Sequence, residues 1–569
     1  MKVLLKNKTY IFYLILIAAA CFSFVVSNVS YDAEYQLAMG YRLLKGDRMI
    51  LEMWEPHQTS AFLCAILMKI YMMITGTTTG IVLYTQIMGL LIRGGIAVLF
   101  YKKFKELSGT TVAFIAAVTY LIISPKELLT PEFGNMQLWF GTLLFFALLE
   151  YLKKEKVIWL VWAAISFCLG VFSYPSFVLL CIAVVIILAK YSKRAKRDIF
   201  IVAGTSALIG GAFVTYLLVS VGWDTMLECV SAALAVEPSH TVAPLEKIWG
   251  HILNIGKIAG MLAGVGLIGF VVENMVRLIV SKKKKEKQKL SWNRWLMISW
   301  MVLMIFLFIN ILSVSNRGGY AFPFVVVLVL GFWKRNLLSE EEKTMYWSAL
   351  WISGFSLIAT LVLSDNAFLQ AVTYMLILIC VSLIPIYYWF RELSKEKALR
   401  KMFLVGMHVF FLLIFFRCVF IHIPIYGREQ ICSIAQEMSL IRTGPAMGII
   451  TDTSGAERQR DSVAEWKEYI EPGDTIWILG EPVDTLGYLY EDVEVGAPTV
   501  MSTPTYSEEL LYYWELNPDK YPDVVIVASS FGELAWEMRC NEWLMKWLEE
   551  EYCADEVIDG NYWRYYFKE

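Results

Sequence analysis

Clusters of lysine and arginine recur along the chain between long apolar runs, and this spacing constrains the fold more than any other feature. They fall at Lys102-Lys103-Lys105, Lys153-Lys154-Lys156, 190–197, 282–289, Lys334-Arg335 and 391–401. Between neighbouring clusters there is room for two apolar segments of roughly 20 residues, the length a helix needs to cross a bilayer. Placing every cluster in the cytoplasm satisfies the positive-inside bias with one consistent alternation. A 569-residue chain that is 57% hydrophobic and 18% charged fits that reading. The net charge of -2 gives no bulk attraction to nucleic acid.

The alternation predicts spans near 10–29, 81–101, 110–124, 135–152, 157–173, 176–190 and 199–221, then 252–280, 293–312, 319–333, 346–363, 370–390 and 402–421. That makes about thirteen transmembrane helices, with a cytoplasmic N-terminus and an extracytoplasmic C-terminus. Lys2, Lys6 and Lys8 precede an apolar run that continues to Val29, longer than a cleaved signal peptide requires. This run is kept as a membrane helix. The segment 60–75 is apolar enough to span, but counting it would put Lys102-Lys103 outside. It is read as a helix lying at the outer interface.

Ala33 to Lys45 places Leu37, Tyr41 and Leu44 on one helical face, with Gly46 as a stop. The first outer loop, 30–80, is thus expected to hold two interfacial helices. The membrane part ends near residue 421, where the chain becomes polar. Strand-like runs at 447–450, 475–479 and 524–527 alternate there with helical stretches at 457–469, 506–514 and 533–549, as in a small α/β domain over 422–569. It has no GxGxxG or Walker loop. The ten cysteines form no CxxC pair. Cys168, Cys181 and Cys380 read as small buried hydrophobes. Cys540 and Cys553 fall in the polar tail, where a disulfide could form.

The chemistry concentrates in the first outer loop, Tyr31-Asp32-Ala33-Glu34-Tyr35 through Trp54-Glu55-Pro56-His57-Gln58. Carboxylates at a membrane border are costly and tend to be functional. Asp32 and Glu34 can act as a general base with a hard divalent cation beside it. Equally, Asp32 can cap a helix and Glu34 can sit solvated in its first turn. Residues two apart face different ways in a regular helix, so shared metal binding requires Asp32 to be non-helical. Trp54 to Gln58 reads first as a headgroup anchor, although His57 could donate to a phosphate or sugar hydroxyl.

In the second outer loop Glu132 is the choice for a further acidic ligand, with Glu127 behind it, and Lys126 either meets a phosphate or snorkels. Tyr174 in the third loop can line the same cavity. Arg317, flanked by glycines, suits phosphate capture or a lipid headgroup. Arg93, inside a span, is expected to have a buried partner. The outer loop 222–247, with Glu228, Glu237 and His240, carries no diagnostic spacing.

With these residues in place, the chain resembles GT-C integral-membrane glycosyltransferases of the protein O-mannosyltransferase and aminoarabinose-transferase type. The likeness rests on the first apolar span, the acidic motif Tyr31 to Tyr35, the run Tyr41 to Asp47, the Pro-containing Trp54 to Gln58, and Glu132. It covers roughly residues 10 to 420. Asp-Ala-Glu stands where that family commonly has adjacent Asp-Glu, and Glu-Pro-His where it has Lys-Pro-Pro-like motifs.

The resemblance implies an inverting transfer of a sugar from a polyprenyl-phosphate donor to a glycan, lipid or protein acceptor at the outer face of the cell membrane. Asp32 would be the base, Glu34 and Glu132 would orient the acceptor or a cation (magnesium or manganese, held with Asp32), and Arg317 and Lys126 would hold the leaving phosphate. A flippase of lipid-linked saccharides is the alternative, but it would carry charges along a central path, whereas here they gather at one face. A sensory protein displaying the α/β domain is a third class.

Overall fold

The computed structural model describes residues 2–27, 31–123, 129–236, 244–284, 321–363, 371–393, 438–480, 482–501, 509–528 and 542–568, with short pieces near 295–302, 409–412, 423–424 and 431–432. The first half is helical: α1 (Lys2–Ser27), α2 (Tyr31–Lys45), α3 (Ala61–Thr75), α4 (Ile81–Ser108), α5 (Thr110–Ile122) and α6 (Phe133–Lys154). Next come α7 (Ile158–Ser173), α8 (Leu180–Tyr191), α9 (Ala195–Ser220), α10 (Trp223–Val236) and α11 (Pro244–Lys284). Then follow α12 (Ala321–Lys334), α13 (Glu340–Leu363) and α14 (Leu376–Leu393).

Among the described residues, five helical stretches are long and apolar enough to cross a membrane: Gln58–Thr75, Ile81–Ser108, Ala195–Ser220, Glu246–Ile279 and Val372–Glu392. Shorter apolar helices occupy the spans expected near 10–29, 110–124, 157–173 and 176–190. Most of the spans expected at 293–312 and 402–421 lies outside the described residues.

The bundle core is apolar and continuous. Phe100, Tyr120, Trp139, Phe145, Phe177, Tyr346 and Ile377 belong to one buried cluster built from α4 to α8 and α12 to α14. At one end of the bundle the lysine clusters meet acids from other helices: Lys103 pairs with Glu150, Lys153 with Glu106 at 3.5 Å, and Ser108 donates to Glu342 at 2.7 Å. Arg93 is buried in α4, where its Nε donates to the Tyr120 carbonyl at 2.9 Å and its guanidinium lies 5.4 Å from the Tyr120 ring centre. Its partner is therefore a carbonyl and an aromatic face.

The other end carries α2, α3 and the C-terminal part of the chain. Helix α3 has the length and hydropathy of a short span, yet both its ends meet that same side. Thr59, just before it, donates to the Phe172 carbonyl at the far end of α7 (2.6 Å). After it, Thr78 donates to the Leu489 carbonyl (2.7 Å) and Gly80 N–H to the Gly444 carbonyl (3.1 Å). One face, Ile66, Ile70, Met73 and Ile74, is exposed while Cys64, Leu67 and Met68 are buried. One apolar side of α3 is thus open and the other packs into the protein. Helices α2 and α3 approach closely at Gly40, where a Cβ would stand 3.0 Å from the Met68 sulfur and 3.2 Å from the Ala65 nitrogen.

The C-terminal part is a small sheet domain. Strands β1 (Ile423–Pro424) and β2 (Ile431–Cys432) pair with each other, as do β3 (Met438–Leu440) and β4 (Ile450–Asp452). The main sheet has five strands, β5 (Thr475–Leu479), β6 (Glu494–Val495), β7 (Val524–Ala528), β8 (Glu556–Asp559) and β9 (Trp563–Phe567), in the order β6-β5-β7-β9-β8. β5 runs parallel to β6 and β7, and β9 antiparallel to β7 and β8. Helices α15 (Thr453–Tyr469) and α16 (Glu509–Leu516) flank it. The strands expected at 475–479 and 524–527 are there, while the strand near 447–450 is shifted to Ile450–Asp452.

Side chains alternate across the strands, so the sheet buries two faces. Ile476, Ile478, Val524 and Ile526 pack with Trp466 and Tyr565 and also with Leu37, Tyr41 and Met68 of α2 and α3. Trp477, Val525 and Val527 pack with Trp514, Trp547 and Tyr552, and also with Leu51 and Trp54. The first loop thus contributes to the core on both sides of the sheet. Trp54, expected as a headgroup anchor, is buried with its ring edge-on to Tyr513 at 5.2 Å. Being enclosed by the sheet domain, it has no face left for lipid.

Candidate active site

Helix α2 begins at Tyr31, so Asp32 and Glu34 both lie in its first turn. At 100° per residue their side chains project about 200° apart. Asp32 is partly exposed and faces the membrane helices, within electrostatic reach of the Tyr374 hydroxyl. Glu34 faces the sheet domain, within reach of Asp484 and Arg458. The condition for a shared cation, a non-helical Asp32, is not met.

Glu132 ends an extended segment and caps α6. Its two carboxylate oxygens accept the backbone N–H groups of Gly134 at 2.7 Å and Asn135 at 2.5 Å. A carboxylate at a helix N-terminus satisfies orphan donors and is stabilised by the dipole. Asn135 tightens the turn through its side-chain amide, which donates to the Thr130 carbonyl at 2.9 Å. Both oxygens of Glu132 are thereby engaged, and Glu34 points elsewhere. Among the described residues no group of three His, Cys, Asp or Glu side chains converges on a point that could hold a metal ion. The expected set Asp32, Glu34 and Glu132 does not fit a cation in this arrangement.

Around Glu132 an aromatic wall forms. The His57 ring stacks on Phe133 at 4.4 Å and on Tyr174 at 5.0 Å, with Phe133 and Tyr174 themselves 5.9 Å apart. Tyr174 arrives from the end of α7, where the extended backbone at 174 turns into the 3-10 stretch Pro175–Leu179. Tyr374, from the 3-10 turn Val372–Met375 that opens α14, completes the cluster. A Cβ on Gly134 would overlap its hydroxyl and lie 3.0 and 3.2 Å from the two Glu132 oxygens. The phenol therefore sits beside the cap, within electrostatic reach of Glu132, Tyr174 and Asp32.

The structure thus brings together four of the expected residues, Asp32, His57, Glu132 and Tyr174. It adds Tyr374, whose only sequence signal is a polar hydroxyl at the start of an apolar run. Lys126, Glu127 and Arg317 lie outside the described residues. The site sits where α2, α6, α7 and α14 meet, at the end of the bundle that faces the sheet domain. An acid partly open to solvent beside a wall of rings suits a reaction on a polar group carried by an apolar or ring-shaped ligand.

A second set of residues fastens the first loop to the sheet domain. Arg42 is buried and donates to Asp47 at 2.6 Å, Glu55 at 3.1 Å, the Pro498 carbonyl at 3.2 Å and the Glu52 carbonyl. Glu55 also accepts the Val500 N–H at 2.9 Å. Asp47 receives Lys520 at 2.7 Å, and Lys520 reaches Glu494 at 2.9 Å. Burial pushes the Glu55 carboxyl up, opposed by Arg42. The acidic and basic residues around Trp54 to Gln58 are thus divided between docking (Arg42, Asp47, Glu55) and the site (His57).

Residues 59–222, from the start of α3 past the end of α9, match the family described as dolichyl-phosphate-mannose-protein mannosyltransferase. Over this stretch the chain is similar to membrane glycosyltransferases of the GT-C class, the same class that the first-loop motifs resemble. Among solved structures it is similar to the archaeal oligosaccharyltransferase AglB from Archaeoglobus fulgidus in complex with an inhibitory peptide and a dolichol-phosphate. That alignment has 11% identity, covers 92% of this chain and 70% of that one, and has a TM-score of 0.43. The oligosaccharyltransferase of the same organism tethered to an acceptor peptide containing the NVT sequon aligns at 11% identity over 91% and 69% of the chains, with a TM-score of 0.46. No curated protein matches the chain.

Proposed function

We propose that this protein is a membrane glycosyltransferase that moves a sugar from a polyprenyl-phosphate donor to an acceptor of the cell envelope, with inversion at the anomeric carbon. The observation that carries the reading is the convergence of Asp32, Glu132, Tyr174, Tyr374 and His57 at the end of the bundle facing the sheet domain. The family match over 59–222, which contains Glu132 and Tyr174, supports the same chemistry. The related family is described by a lipid-phosphate sugar donor, and one of the similar structures holds a dolichol-phosphate.

In this mechanism the Asp32 carboxylate takes the proton of the acceptor hydroxyl as its oxygen attacks the anomeric carbon. The bond from that carbon to the phosphate oxygen breaks, and the electron pair leaves with polyprenyl phosphate. Lys126 and Arg317 are assigned to the charge of that leaving group, where fixed cations would contribute most to the rate. His57, the partly exposed member of the stack with buried Phe133 and Tyr174, is assigned to the contact with a sugar ring or its hydroxyls. The helix cap at Glu132 keeps the start of α6 in place. The site is assigned to the outer face, with the lysine-rich end of the bundle in the cytoplasm.

The test is transfer of radiolabelled sugar from polyprenyl-phosphate donors by the purified protein, wild type beside Asp32→Asn. Loss of turnover by about 10² or more in the variant, with donor binding retained, is expected for removal of a general base. Full turnover in Asp32→Asn would remove Asp32 from the chemistry. Lipid-linked sugar crossing liposomes with no transfer would replace the transferase reading with a flippase.

A further inference from the structure

Glu34 is 1% exposed, and neither of its carboxylate oxygens has a hydrogen-bond partner. An ionised carboxylate left unpaired in such a place costs several kcal/mol, so buried acids of this kind carry their proton. Its surroundings come from the sheet domain. The turn 482–489, which packs along α2, brings Asp484, and α15 brings Arg458. Arg458 is committed to Asp484, Nη2 to Oδ1 at 3.2 Å. Asp484 itself is tucked over the ends of β5 and β7. A Cβ on Gly480 would stand 2.6 Å from its Oδ2 and 3.0 Å from the Ala528 Cβ. On the other side of α2, α3 contributes Cys64 and Met68 at Gly40, neither of them charged. Among the described residues, the charged groups acting on Glu34 are therefore one acid and one base that already pair with each other.

We propose that Glu34 is a proton-operated latch between α2 and the C-terminal domain: protonated, it lets the turn 482–489 close on the helix; ionised, it opposes Asp484 across the contact and loosens it. Burial first, and then Asp484, raise the Glu34 carboxyl well above the ordinary glutamate range, with Arg458 pulling the other way. A group whose pKa rises on docking favours docking in its protonated form. Its contribution is complete below about pH 4.3, the ordinary value, and is lost as pH climbs through the raised value. Asp484, pushed up to about 6 by burial against the pull of Arg458, titrates in the same sense. Acid therefore tightens the contact and alkali loosens it. Asp32 rides on the same helix, and the consequence for catalysis rests on the reading of Asp32 as the base.

Amide hydrogen exchange of the full-length protein in detergent tests this without any substrate. Wild type and Glu34→Gln are compared at about pH 8 and again at about pH 5, each pair at the same pH so that intrinsic rates cancel. At the higher pH the variant is expected to exchange about tenfold more slowly, or slower still, in peptides from α2 and from 482–489, the factor that one pK unit carries. At the lower pH, within one unit of the ordinary glutamate value, the difference should shrink to a few-fold. Equal rates at the higher pH, or faster exchange in Glu34→Gln, would overturn the latch. If Glu34→Gln does not fold, Asp484→Asn takes its place. It removes the opposing carboxylate and frees Arg458 for Glu34, so the loosening from pH 5 to pH 8 should shrink, and an unchanged response would be equally fatal. Failure of this test leaves the transfer assay on Asp32 untouched.

Discussion

At the scale of single residues, Glu132 and Gly134 show how a capping turn also shapes a site. The carboxylate accepts two backbone N–H groups, and the missing side chain at Gly134 leaves the space that the Tyr374 hydroxyl fills. Gly134→Ala should therefore destabilise the protein by about 1–3 kcal/mol, the usual penalty for forcing a methyl group into a packed place. The overlap is with the hydroxyl oxygen, so Tyr374→Phe should restore most of the loss in the double variant. Thermal unfolding of the four proteins in detergent decides this, and additive losses would show that the contact is not the cause. Glu132 and Tyr174 were legible in the sequence as polar and aromatic residues at the ends of apolar runs. Tyr374 was not, because a hydroxyl inside a run of apolar residues carries no sign of which helix end it will meet.

At the scale of elements, the first loop is a pair of helices held on two sides. Gly40 brings α2 against α3, and Arg42 ties the end of α2 to Asp47, Glu55 and the sheet domain. Removing one member of a buried ion network leaves its partners charged and unpaired, at a cost of about 3–5 kcal/mol. Arg42→Met should thus speed amide exchange in 47–58 and 494–500 far more than in the membrane helices. Uniform exchange across the chain would instead mean that the network does not hold the loop to the domain. The two helices of the first loop were readable from apolar periodicity and from the glycine stop at Gly46 (φ +105°). The docking network was not readable, since Lys520 and Glu494 lie more than 440 residues from Arg42.

At the scale of the whole molecule, the lysine clusters among the described residues collect at one end and the sheet domain, with the candidate site, at the other. Cysteines placed at Lys105 and Glu471, both exposed, report the orientation. A membrane-impermeant maleimide applied to intact cells should label Glu471→Cys at once, and Lys105→Cys only after permeabilisation. The reverse pattern would invert the assignment of the two faces. A domain that shares two buried faces with the first loop should also resist separation from it, so the orientation of one fixes that of the other.

The amino-acid sequence by itself determined the class of molecule, the helical bundle and the acids worth testing. Those follow from local quantities: the length of an apolar run, the sign of the residues between runs, and the period of a helix. Only the tertiary structure decided which acid does what. Asp32 and Glu34 are two residues apart in the chain, but a helix turns them toward different partners, one to the membrane helices and Tyr374, the other to Asp484 and Arg458. The partner of a buried charge is chosen by packing between distant segments, and no local pattern encodes that choice.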